Sequence, residues 1–127
     1  MSILPSRKLA KIEKNCNQIL KNDNIKFVGV INSLGNLIAG DFKKDTTMIG
    51  TEALHKMMYM QLKLDLDMRK DYDELYGPVS YVFSKRRHAE KFTIPIGNYM
   101  VLLITEPNFD HTKLDEIISV FKSAITN

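Results

Sequence analysis

The architecture turns on Lys26-Phe27-Val28-Gly29-Val30-Ile31-Asn32-Ser33-Leu34-Gly35-Asn36-Leu37-Ile38-Ala39-Gly40. Residues 26–32 form a run rich in β-branched side chains, Leu34-Gly35-Asn36 supplies a tight turn, and Leu37 to Gly40 returns as the partner strand of a hairpin. Upstream, residues 6–22 read as a helix. Leu9, Ile12, Cys16, Ile19 and Leu20 recur at helical spacing, while Lys8, Lys11, Glu13 and Lys14 take the other face. Asn22-Asp23-Asn24 ends that helix with turn-forming residues.

Downstream of the hairpin, a long helix is predicted from Thr47 to Lys70, roughly 36 Å at ~1.5 Å per residue. Successive residues turn by ~100°, which sorts its apolar side chains into two rows. Ile49, Ala53, Met57, Met60, Leu64 and Met68 fall on one side, and Leu54, Met58, Leu62 and Leu66 form the second. A narrow arc with Glu52, Lys56, Lys63 and Lys70 remains for solvent. A helix lying on one small sheet needs one stripe, so the second row is expected to meet another partner. Met57, Met58, Met60 and Met68 lie along this helix, and those of the second row are the preferred interface residues.

Gly77-Pro78 closes the helical region. Three strands follow. Val79 to Ser84 alternates, with Val79, Tyr81 and Phe83 on one face and Phe83 expected to pack inward. Lys85-Arg86-Arg87-His88 turns into Lys91 to Ile96, where Pro95 has to sit near the strand end or at a bulge. Gly97-Asn98 turns into Tyr99 to Thr105, a run apolar on both faces, as suits a central strand. A last helix spans Lys113 to Thr126, with Leu114, Ile117, Ile118, Phe121 and Ile125 in one stripe and Thr112 with Asp115 resembling a capping box. The order α-ββ-α-βββ-α is an α+β pattern, one five-stranded antiparallel sheet with helices against it.

At 127 residues the chain fits one domain, 1–127. Its 44% apolar and 26% charged residues match ordinary globular proteins. One cysteine forms no internal bridge, which suits a reducing, cytoplasmic setting. No apolar run reaches the roughly 18 residues of a membrane span, and the polar Arg7 and Lys8 replace the apolar core of a signal peptide. A net charge of +3 is too small to imply nucleic acid.

No residue set supports catalysis, a cofactor or a metal. Cys16 lies on an apolar stripe with no base at a recognisable spacing. His55, His88 and His111 occupy three different elements, without the paired spacing of metal ligands. The acidic set Asp65, Asp67, Asp71, Asp73 and Glu74 fails as a calcium loop, because Lys70 and Tyr76 stand where Gly and Glu are needed. Gly35, Gly40 and Gly50 form no phosphate loop. Lys85, Arg86, Arg87, His88 and Lys91 gather at a hairpin tip able to meet an acidic protein surface or phosphates.

This element order, and the segment from Lys26 to Gly40 above all, resembles the roadblock/dynein-light-chain proteins among the profilin-like domains, which also include the longin domains. The stretches Gly77 to Gly97 and Leu102-Leu103-Ile104 are similar to small uncharacterised archaeal proteins of this architecture. The resemblance implies a non-enzymatic adaptor or regulatory module that dimerises through its long helix and an edge strand, with a small GTPase among its partners. The homodimer interface is then expected at Leu54, Met58, Leu62, Leu66 and Tyr81, and Met58→Glu is expected to give a folded monomer. Protein partners are expected at Lys85, Arg86, Arg87 and His88. Two other readings stand beside it: a small-ligand sensor of PAS or GAF type with a cavity between sheet and long helix, and a nucleic-acid binder using residues 85–91.

Overall fold

The hairpin read from residues 26–40 forms one side of a five-stranded antiparallel sheet in the computed structural model, which describes residues 4–44 and 50–126. Strand β1 spans Ile25–Ile31 and β2 spans Leu37–Phe42. Asn32 builds the turn between them. Its backbone N–H donates to the Asn36 carbonyl, its carbonyl accepts from Gly35, and its side-chain oxygen accepts from the Leu34 and Asn36 amides at 3.0 Å each. Gly40 holds φ at +100°, and a Cβ there would lie 2.1 Å from the Val28 carbonyl oxygen, so glycine lets β2 close onto β1.

The other strands are β3 (Val82–Lys85), β4 (Glu90–Ile96) and β5 (Tyr99–Thr105), and the sheet order is β2-β1-β5-β4-β3. The run that is apolar on both faces, β5, is the middle strand, and all seven of its residues are buried. Helices α1 (Ser6–Ile19), α2 (Glu52–Arg69) and α4 (Leu114–Thr126) flank the sheet, and a single turn, α3 (Asp73–Tyr76), is appended to the end of α2 through a 3-10 turn. The order is the expected one.

Both faces of the sheet are covered. Ile12 and Cys16 of α1 and Leu114 and Phe121 of α4 pack over Val28, Val30, Phe92, Val101 and Leu103. Tyr59 and Leu66 of α2 pack over Phe27, Ile31, Met100, Leu102 and Ile104. Each fully buried Leu, Ile or Phe contributes about 1.5–3 kcal/mol relative to exposure. The pairing register of β1 shifts between Ile25 and Phe27, which turns these two residues to opposite layers although they are two apart.

Three local readings change. The start of the long helix at Thr47, and Ile49 with it, lie outside the described residues; α2 begins at Glu52, where the Thr51 hydroxyl accepts from the Leu54 amide. The strand predicted from Val79 starts at Val82, so Val79 packs with Val82 on the α2 side while Phe83 contacts Phe92 on the other. Asp110, not Thr112, caps the last helical segment, accepting from both the amide and the hydroxyl of Thr112. Pro95 sits near the strand end as expected, pairing with Met100 one residue before it and beyond the reach of β3, where its missing N–H leaves no neighbour unsatisfied.

Candidate interaction surface

The two apolar rows of α2 exchange the places expected of them. Leu66 is 4% exposed in the single chain, and Met58 and Leu62 are half-buried against the sheet. Leu54 alone of that row stays well exposed. The row read as core faces away, with Met57, Met60, Leu64 and Met68 each 55–63% exposed. Helical period cannot rank two apolar rows, and the residues between them decide. Tyr59 is buried with its ring 5.9 Å from that of Phe27, which turns Leu62 and Leu66 onto the sheet.

Lys63, placed in the solvated arc by its charge, is buried and sets its Nζ 2.6 Å from Asp67 Oδ1. Desolvation pushes the Asp67 carboxyl up, but the hydrogen bond and charge of Lys63, then those of Lys70, outweigh it and hold the group below its ordinary range. Beside this pair, Leu34 and Gly35 of the β1–β2 turn and Met57, Met60 and Leu64 line a shallow apolar groove. The exposed apolar surface continues past Met68 to Tyr72, Leu75 and Tyr76.

The basic set sits at the β3–β4 tip as expected. Arg86 N–H donates to the Ala89 carbonyl at 3.0 Å, and Lys85, Arg86, Arg87 and His88 are all exposed. Lys26 braces the tip from β1, donating to the His88 carbonyl at 3.0 Å and lying 3.7 Å from Glu106. Lys91 is half-buried behind it on the α2 side, and its Nζ donates to Met58 Sδ at 3.2 Å. Burial first, and then the positive charge of Arg86, push its pKa down. No aromatic platform accompanies this charge. Phe92 is fully buried, and Phe83 packs on Phe92 and His111, with ring centres 5.0 and 4.8 Å away. Tyr81 also leans toward Phe92, 6.1 Å between rings, so it projects on the α1/α4 side rather than beside α2.

The remaining chemistry-bearing residues have structural settings. Cys16 is buried, and desolvation, aided by Glu13, pushes its thiol from 9.0 to about 12, leaving no thiolate near neutral pH. His55 packs on Phe42 and His111 on Phe83 and Phe92. Asp65 pairs with Arg69 and Asp67 with Lys63 and Lys70, so the acidic end of α2 is largely neutralised from within. Glu90 was not singled out by sequence. It is buried and accepts from the Asn108 and Phe109 amides at 3.0 and 3.2 Å, tying β4 to the approach of α4.

The pattern of DUF6659, described as a family of unknown function, matches residues 4–122. The chain belongs to this family. Among curated proteins none matches it in sequence. Solved structures match it in fold. The gliding protein MglB from Thermus thermophilus superposes with a TM-score of 0.79 at 6% identity, covering 98% of this chain and 95% of that one. MglB of Myxococcus xanthus gives 0.76 at 11%, over 98% and 95%. A roadblock/LC7 domain from Streptomyces avermitilis gives 0.71 at 7%, over 90% and 93%. At these identities the likeness establishes the roadblock-type, profilin-like fold and nothing further. This DUF6659 chain therefore shares the architecture that its hairpin and element order implied. Among the described residues no helix is long and apolar enough to cross a membrane.

Proposed function

We propose that this chain is a dimeric, non-enzymatic adaptor or regulatory domain of the cytoplasm that binds other proteins, small GTPases being the partner class. One observation carries it: Met57, Met60, Leu64 and Met68 line the side of α2 turned away from its own sheet, a continuous apolar face that the single chain leaves uncovered. Exposed apolar faces of this kind mark association surfaces in soluble proteins. A second copy seated there forms a self-complementary, two-fold interface. Leu54 lies on the flank of the same helix, whereas Tyr81, turned to the α1/α4 side of the sheet, stands outside this interface. An MglB with a tetrameric arrangement is among the structures that share the fold, which supports self-association as a use of this architecture. Lys85, Arg86, Arg87 and His88 are the surface for the further partner, since they are exposed and remain outside that interface.

Cysteine scanning tests it. Cys16 is the chain's one cysteine and is buried, so a thiol placed at position 57, 60, 64 or 68 in turn is the reactive one. Oxidation links two copies at one or more of these positions, whereas Asp115→Cys on exposed α4 stays unlinked. Equal linkage at position 115, or none along α2, overturns the dimer. Arg86→Glu with Arg87→Glu then removes binding to a purified small GTPase panel while the mass in solution is unchanged; binding that survives the reversal removes the tip from the account.

A further inference from the structure

We propose that the cavity between edge strand β2 and the N-terminal half of α2 is a binding site for an ammonium or guanidinium group, separate from the apolar face of α2. It is a half-open cleft of about 570 Å3, lined by Asp41, Phe42, Glu52, His55, Lys56 and Tyr59 among others. That volume lies within the range of small-ligand sites. It opens on the β2 flank of the helix, away from Met57, Leu64 and Met68.

Three features select a cation. First, among the described lining residues two exposed carboxylates, Asp41 and Glu52, face one lysine, Lys56, so these side chains carry more negative than positive charge. Asp41 is held in place by accepting the Phe42 amide at 2.7 Å. Second, the wall is aromatic. Phe42 lies 4.9 Å from His55 and 4.7 Å from Phe27, and Phe27 lies 5.9 Å from Tyr59, centre to centre. Aromatic faces attract ammonium and guanidinium groups, more strongly as water is excluded. Third, Tyr59 is 5% exposed, yet its hydroxyl has no hydrogen-bond partner among the described residues and is not sealed from solvent. It reaches the cavity. Burial, and then the charge of Asp41, keep its proton on. A neutral phenol offers a lone pair to an incoming N–H, while a carboxylate accepts the charge-assisted bond. An anion would meet both carboxylates and, among the described lining residues, gain Lys56 as its one lysine.

The group could arrive on a free amine or on an arginine side chain of a partner protein. Agmatine and N-acetyl-arginine methylamide, titrated into the 15N-labelled chain, separate the two. Saturable shifts of the Phe42, His55 and Tyr59 amides with agmatine alone assign a free amine, and shifts with the blocked arginine assign a protein side chain. Either supports the site. Hexanoate, of opposite charge, leaves these amides unmoved. Asp41→Asn with Glu52→Gln weakens binding by roughly tenfold or more, the worth of one charge-assisted bond. Tyr59→Phe keeps the ring, and so the fold, and weakens it several-fold. Absence of saturable shifts with both cations, or equal response to hexanoate, or affinity unchanged in both variants, overturns the proposal.

Discussion

Leu64→Glu separates the two faces of α2. Leu64 is 60% exposed in the single chain. Fully burying a leucine is worth about 1.5–3 kcal/mol, so covering what remains exposed contributes about 1–2 kcal/mol per copy. Two-fold symmetry counts the side chain twice, about 2–4 kcal/mol, or roughly a 30- to 700-fold rise in dimer dissociation constant on its loss. A carboxylate at the centre of an apolar interface adds its own desolvation cost, so these figures are lower bounds. The monomer has little to lose, because exposed substitutions stay within about 0.5 kcal/mol. Leu66→Ala does the opposite. That side chain is buried under α2, and its truncation costs about 2–5 kcal/mol of folding stability. Met58→Glu is a poorer probe than the sequence suggests, since the new carboxylate would lie beside Lys91 Nζ within the fold. Sedimentation velocity over a dilution series reads the dissociation constant, and urea unfolding at concentrations where both variants are monomeric reads the fold. An unfolded Leu64→Glu, or one that dimerises like the parent chain, refutes the assignment of the two faces.

Gly40→Ala destabilises by about 3 kcal/mol or more, because it combines a left-handed φ with a Cβ pressed on the Val28 carbonyl; a thermal midpoint equal to the parent's contradicts the close approach. Glu90→Ala strands the Asn108 and Phe109 amides and costs about 2–3 kcal/mol, read from urea midpoints. Cys16 stays unmodified by iodoacetamide at pH 8 in the folded chain and reacts at once in denaturant, followed by mass spectrometry. Its raised thiol also makes a pH signature. The contribution is full below the unfolded value near 9 and is lost as pH rises toward about 12, so Cys16→Ala flattens the alkaline fall in stability.

The fold was legible because its cues are local. A β-branched run, an Asn and Gly turn, and a strand apolar on both faces each specify their own geometry, and β5 sits in the centre for that reason. What sequence could not rank were alternatives of equal local quality. The rows holding Leu64 and Leu66 are both apolar, and the choice between them rests on Tyr59 meeting Phe27, a residue far back along the chain. The charge of Lys63 reads as solvent-facing and sequence does not single out Glu90, yet each is buried against a partner. The partner of Glu90 is a pair of backbone amides, which leave no mark on composition. The β2-side cavity is likewise invisible to motif reading, because its lining comes from a turn, a strand edge and the flank of a helix that no spacing rule joins.

The mass of the unmodified chain in solution, by light scattering behind size exclusion across a concentration series, tests the central claim most directly. A species of twice 14.6 kDa, dissociating on dilution, is the result expected if the outer face of α2 receives a second copy. A 14.6 kDa monomer at every concentration contradicts it and leaves Met57, Met60, Leu64 and Met68 to a different protein.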